Sequence, residues 1–276
     1  MTAVAATAGG FSMGRVVSRL FETLGRNAVA FFLLAVLLMG LPDAILTYVR
    51  LGGLPGFAPA ASARTGDFSG TIGLSVLSFL VVGAANAVLL GAVIHGAVSD
   101  LGGRKANFGE CLATGLRFFV PLIGVGILAA VGTGLGYVLF IVPGVILSLV
   151  WSVAAPALVM ERTGVLGALG RSRDLTRGHR GAILILAVIF SVGAFIAELF
   201  VGGVFGLGFG FDQAASFALK TRASGVREMA VMQVLVQLVV RTLTSAVGAA
   251  GVASIYFELR QAKDGLGAAE LAAVFD

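Results

Sequence analysis

Polar residues interrupt this chain rarely, and the intervals between them are long. Six mostly apolar runs stand out, at about residues 28–49, 71–98, 118–140, 141–160, 182–204 and 229–257. Each reaches the ~18 or more residues that an α-helix needs to cross a bilayer. Between the first two, LGGLPGFAPAASARTGDFSG has the Gly, Pro and Ala content of a loop. The third and fourth meet in GYVLFIVPGV, where Pro143-Gly144 predicts a tight turn between two helices. The fifth and sixth are separated by a longer segment, with a short surface helix expected around Gln213–Lys220.

A second pattern precedes alternate spans. In residues 11–26, Met13, Val16, Val17, Leu20, Phe21 and Leu24 recur at helical spacing, with Arg15, Arg19, Glu22 and Arg26 on the other face. Residues 106–117 carry the shorter stripe Phe108, Cys111, Leu112 and Gly115, continued by Phe119, and residues 164–178 form a third such segment. The expected architecture is all-α: a single membrane domain of six transmembrane helices, with three interfacial amphipathic helices each leading into a hairpin.

Composition fits this pattern. Of 276 residues, 58% are hydrophobic and 12% charged, against about 25% charged in a soluble domain. The mean hydropathy is +1.02. The flanks on one side hold 13 of the 19 lysines and arginines, among them Arg15, Arg104, Lys105, Arg117, Arg162, Arg171, Arg173, Arg177, Arg180 and Arg260. The opposite flanks hold five, so both termini are expected in the cytoplasm. The net charge of +5 is therefore read as topology and contact with anionic lipid headgroups at the cytoplasmic face, not as nucleic-acid binding. No cleavable signal peptide is expected before the first span.

Chemistry-bearing residues are few. Cys111 is the only cysteine and His95 and His179 are the only histidines, so neither a metal site, nor another cofactor, nor nucleophilic catalysis is indicated. Span six places Gln233, Gln237, Arg241 and Ser245 four residues apart on one helical face. An arginine at the bilayer centre costs about 2.5–3.5 kcal/mol on insertion scales and should find a partner. Glu198, at similar depth in span five, is the expected one. The pair either fixes helix packing, the favoured reading, or lines a site for an anionic substrate or headgroup. Asp43, beside Pro42, reads as a helix-end residue, and Pro156 should kink span four. In GRSRDLTRGHR the expectation is that Leu166, Leu169 and Leu175 dip into the interface while Arg171, Arg173, Arg177 and Arg180 meet headgroups, with Gly178 ending the helix.

The stretch from Ile141 to Ile183 and the tail IYFELRQAKDG support a family resemblance. Pro143-Gly144, Trp151, Pro156, Glu161, Ser172 and Leu175-Thr176-Arg177-Gly178 follow a pattern that resembles a bacterial family of six-helix membrane proteins. That family is named after the membrane domain of glycerophosphoryl diester phosphodiesterase. Arg173 departs from the pattern, which has an aromatic there. The resemblance implies an inner-membrane helix bundle and no hydrolase activity, since the family's catalytic domain is separate and soluble. The expected function is a non-enzymatic module that organises a partner or lipids. The alternative is a transporter or lipid-handling protein working at Arg241 and Glu198.

Overall fold

The computed structural model describes residues 11–50, 69–101, 105, 107–204 and 226–264. Within them the chain is helical, in the order α1 Met13–Arg26, α2 Ala28–Ala35, a π-turn Val36–Gly40, α3 Leu41–Arg50, α4 Ser69–Leu101 and α5 Phe108–Arg117. There follow α6 Phe119–Leu139, α7 Ile141–Val150, α8 Ala154–Glu161, α9 Gly164–Thr176, α10 Arg180–Val204 and α11 Val226–Asp264. Six helical segments are long and apolar enough to cross a membrane. This is a multi-pass membrane protein. A short helix (α1, α5, α9) precedes two long apolar segments three times over, the order expected from the sequence; α1 and α5 are clearly amphipathic, while α9 buries Ser172 and Thr176 beside Ala168 and Leu175. The surface helix expected around residues 213–220 lies outside the described residues.

The sequence locates the irregularities, though not always to the residue. Pro42 has no N–H, and just before it the helix opens into a π-turn in which the Leu41 N–H donates to the Val36 carbonyl. Pro156 breaks span four as expected, but the break falls at residues 151–153. There the Ala154 N–H turns back to the Trp151 carbonyl at 3.1 Å, and regular bonding resumes with Ala157 to Val153. The hairpin between spans three and four turns at Phe140, whose backbone is extended, and not at Pro143-Gly144. Pro143 and Gly144 lie in the first turn of α7, where a missing N–H leaves no helical acceptor unpaired. Span six continues as one helix to Asp264, so Arg260 and Lys263 stand on its last turns.

The chain divides into two compact units: Met1–Phe31, Ala87–Phe190 and Ala246–Asp276 in one, Phe32–Asn86 and Ser191–Ser245 in the other. The core of the first gathers Val16, Ile94, Leu122, Leu158, Met160, Leu175, Ile183, Leu186 and Tyr256. Small residues set its closest approaches. A Cβ on Gly115 would meet the Val88 carbonyl, and one on Gly91 would come within 3.1 Å of Gly115 Cα, so α4 and α5 cross with their backbones nearly touching. Of the glycines in span three, Gly124, Gly132 and Gly136 face Val165, Trp151 and Gly144, while Gly126 and Gly134 face open space. In the second unit the buried side chains include Leu34, Met39, Val49, Ser78, Val240 and Thr242.

The amphipathic helices turn their apolar stripes onto the protein. Val16, Leu20, Cys111, Ala168 and Leu175 are fully buried. Leu175 therefore does not dip into the interface, and Leu169 packs against the core. Some large apolar side chains stay outward: Met13 and Phe21 on α1, Leu116 on α5 and Leu166 on α9. Burial, followed by the charge of Glu110, pushes the Cys111 thiol up to about 11.

Candidate functional site: a charged collar on three helix ends

The C-terminal end of α11 reads Tyr256-Phe257-Glu258-Leu259-Arg260, ending at Asp264. At 3.6 residues per turn, Tyr256, Arg260 and Asp264 share one face, while Glu258 lies about 200° around from Tyr256. The two faces grip different helices.

On the first face five side chains close a ring. Tyr256 Oη donates to Glu161 Oε1 at 2.9 Å. Arg171 Nε donates to both Glu161 oxygens at 2.9 Å, and Arg171 Nη2 reaches Asp264. Asp264 faces Arg260 Nε at 3.6 Å, and Arg260 Nη1 returns to Tyr256 Oη at 3.4 Å. Two acids and two arginines alternate, so the ring is neutral and links α8, α9 and α11. Burial disfavours the charged form of Arg171, but the hydrogen bond and charge of Glu161, then those of Asp264, outweigh it. They hold the Arg171 pKa above the ordinary guanidinium value. Lys263 Nζ adds a contact to the Asp174 carbonyl on α9.

On the other face Glu258 is fully buried and receives α1. Ser12 N–H donates to Glu258 Oε1 at 3.1 Å and Arg15 Nε at 2.8 Å, while Arg19 Nη1 lies 3.6 Å from Oε2. Arg26, at the end of α1, lies 3.9 Å from buried Asp100 at the end of α4. The buried acids of this unit are thus matched by cations from the amphipathic helices.

Ser172 has a separate task. The break before Pro156 takes the Ala154 N–H away from the Val150 carbonyl, and the buried Ser172 hydroxyl donates to that carbonyl at 2.7 Å. Thr176 is buried, and its hydroxyl donates to the Arg173 carbonyl at 3.3 Å. Gly178 has φ +94, which ends the segment with a backbone that glycine adopts without strain. Arg177 is exposed.

Several expected site residues are placed differently. Arg171 is held within the ring by Glu161 and Asp264, with 27% of its side chain exposed, and is not an unpaired surface cation. Arg241 meets Asp43, Nε to Oδ2 at 3.5 Å, while Glu198 is exposed and without an ionic partner among the described residues. Asp43 is accordingly a buried residue of α3 facing a span, not a helix end among headgroups. Gln237 lies one turn from Arg241, partly buried; the side chain of Gln233 lies outside the described residues. The roles of Arg15, Arg19 and Glu258 were not read from the sequence. The available signal was an acid at the end of an apolar span together with two arginines four apart on α1.

Among the described residues no group of three or more His, Cys, Asp and Glu side chains is placed to hold a metal ion. No protein-family model, no curated protein and no solved structure matches the chain.

Proposed function

We propose that the protein is a non-enzymatic module of the bacterial inner membrane, with both termini cytoplasmic, whose collar of amphipathic helices gathers anionic phospholipid. The carrying observation is a division of labour among the basic residues. Arg15, Arg19, Arg26, Arg171 and Arg260 are engaged with acids. Lys105, Arg117 and Arg173 and Arg177 are exposed and have no acidic partner among the described residues. Phe21, Leu116 and Leu166 lie exposed on α1, α5 and α9, and the unmatched cations lie on or beside α5 and α9. Outward apolar side chains with unmatched cations suit the boundary between acyl chains and anionic headgroups. The resemblance to the six-helix family supports the same membrane, and the one-sided distribution of cations supports the orientation.

Each cation near an anionic surface contributes about 1 kcal/mol, weakened by salt. The expected outcome is that phosphatidylglycerol in phosphatidylcholine nanodiscs raises the unfolding temperature of the wild-type protein. The triple variant Arg117→Gln, Arg173→Gln, Arg177→Gln should lose most of that increment while keeping its stability in phosphatidylcholine alone. An unchanged increment would contradict the proposal. Retention of a protein partner by the wild type, lost in the triple variant, would assign the collar to protein docking instead.

A further inference from the structure

The second unit contains a charged pair that the collar does not use. Pro42 and the π-turn before it shape this place. One extra residue in a helical turn rotates everything that follows by about 100°, and Asp43 comes directly after. Gly40 admits α11 at this point: a Cβ there would meet Thr242 Oγ1 and stand 3.4 Å from the Leu238 carbonyl. Asp43 thus faces Arg241 across a close helix contact.

The pair is incompletely bonded. Asp43 Oδ2 and Arg241 Nε are each buried and neither has a hydrogen-bond partner, although they stand 3.5 Å apart. Asp43 therefore supplies charge but no aligned acceptor. The rest of the guanidinium makes no hydrogen bond among the described residues, and 44% of the Arg241 side chain is exposed. Gln237, on the same face one turn earlier, offers an amide with no hydrogen-bond partner among the described residues. A planar fork of N–H donors, open on one side inside an apolar span, matches a bidentate oxyanion.

We infer that Arg241, with Gln237 beside it, binds the phosphate oxyanion of a phospholipid headgroup or of a soluble phosphate ester, with Asp43 as a counter-charge that limits the affinity. A packing pin would use Asp43 and Arg241 as mutual partners with good geometry, and the orphaned Nε and Oδ2 do not provide it. The inference is independent of the collar and concerns different residues.

The test starts from full-length protein carrying the triple glutamine change in the collar, so that collar-bound lipid does not contribute. Phosphatidylglycerol is titrated by native mass spectrometry, and glycerol 3-phosphate by calorimetry in phosphatidylcholine nanodiscs. Arg241→Gln should weaken binding by about tenfold or more, as loss of a charged hydrogen bond does. Asp43→Asn should tighten it, because the counter-charge is removed while the guanidinium remains. Binding in the lipid titration alone identifies a headgroup, and binding in the soluble titration alone identifies a free phosphate ester. Equal affinities for starting protein, Arg241→Gln and Asp43→Asn in both titrations would overturn the inference. If Arg241→Gln fails to fold, Asp43→Asn decides alone: weaker or unchanged binding overturns it.

Discussion

Replacing Arg15 and Arg19 together by alanine is expected to lower stability by about 3–5 kcal/mol, the range for stranding a buried charge. Removing their partner by Glu258→Gln should cost less, about 1.5–3 kcal/mol. The inequality follows from burial. Glu258 is fully enclosed, whereas the Arg15 and Arg19 side chains are 47% and 22% exposed. Without the carboxylate the arginines regain water; without the arginines the carboxylate keeps, among the described residues, only the Ser12 N–H. Adding Glu258→Gln to the double alanine variant should therefore recover part of the loss. Unfolding in mixed micelles measures all three variants. A Glu258→Gln loss equal to or larger than that of the double arginine variant would contradict the stranding of a buried carboxylate as the cause of the larger loss.

The second large effect is expected at Glu161. It accepts both oxygens' worth of hydrogen bonds from Arg171 and another from Tyr256. Glu161→Ala removes the acceptor of the buried Tyr256 hydroxyl and breaks the ion pair between α8 and α9, with an expected loss of about 3 kcal/mol. Arg171→Gln should cost less, because Asp264 keeps Arg260 as a neighbour. Members of one network do not add, and the double variant Glu161→Gln, Arg171→Gln should fall short of the sum of its singles by about 1 kcal/mol or more. By contrast Arg173→Gln, two residues away but exposed, should leave unfolding in uncharged micelles nearly unchanged. Additive losses at Glu161 and Arg171 would mean that the ring is a set of neighbours without coupling.

The spans were legible because a bilayer demands long apolar runs, and six such runs leave little choice of fold. The amphipathic helices were legible for a similar reason, since a 3.6-residue stripe survives in any surrounding. Which surface the stripe meets is not encoded in its period. Val16, Leu20 and Leu175 fit protein as well as lipid, and only neighbours such as Gly251 beneath Leu20 decide. Partner assignment failed at Arg241 for a geometric reason. Equal depth fixes one coordinate of three, and Asp43 meets the depth condition as well as Glu198 does. At Arg171 the charge count could not see the pairing, because a positive flank registers the same total whether its arginines are free or paired with an acid of the protein. The work of Glu161 and Ser172, closing a ring and capping a carbonyl freed by a helix break, was not legible, because it depends on contacts across 10 and 22 residues.

The proposed orientation puts the collar at the cytoplasmic leaflet with Arg173 and Arg177 outward. The native chain suits a labelling test, since Cys111 is buried and its thiol is held at about 11, leaving a low thiolate background at neutral pH. Single Arg173→Cys and Arg177→Cys variants, treated with a membrane-impermeant maleimide, should react in inside-out vesicles and stay unlabelled in intact spheroplasts. Labelling in spheroplasts would place the collar on the opposite side of the membrane and contradict the account.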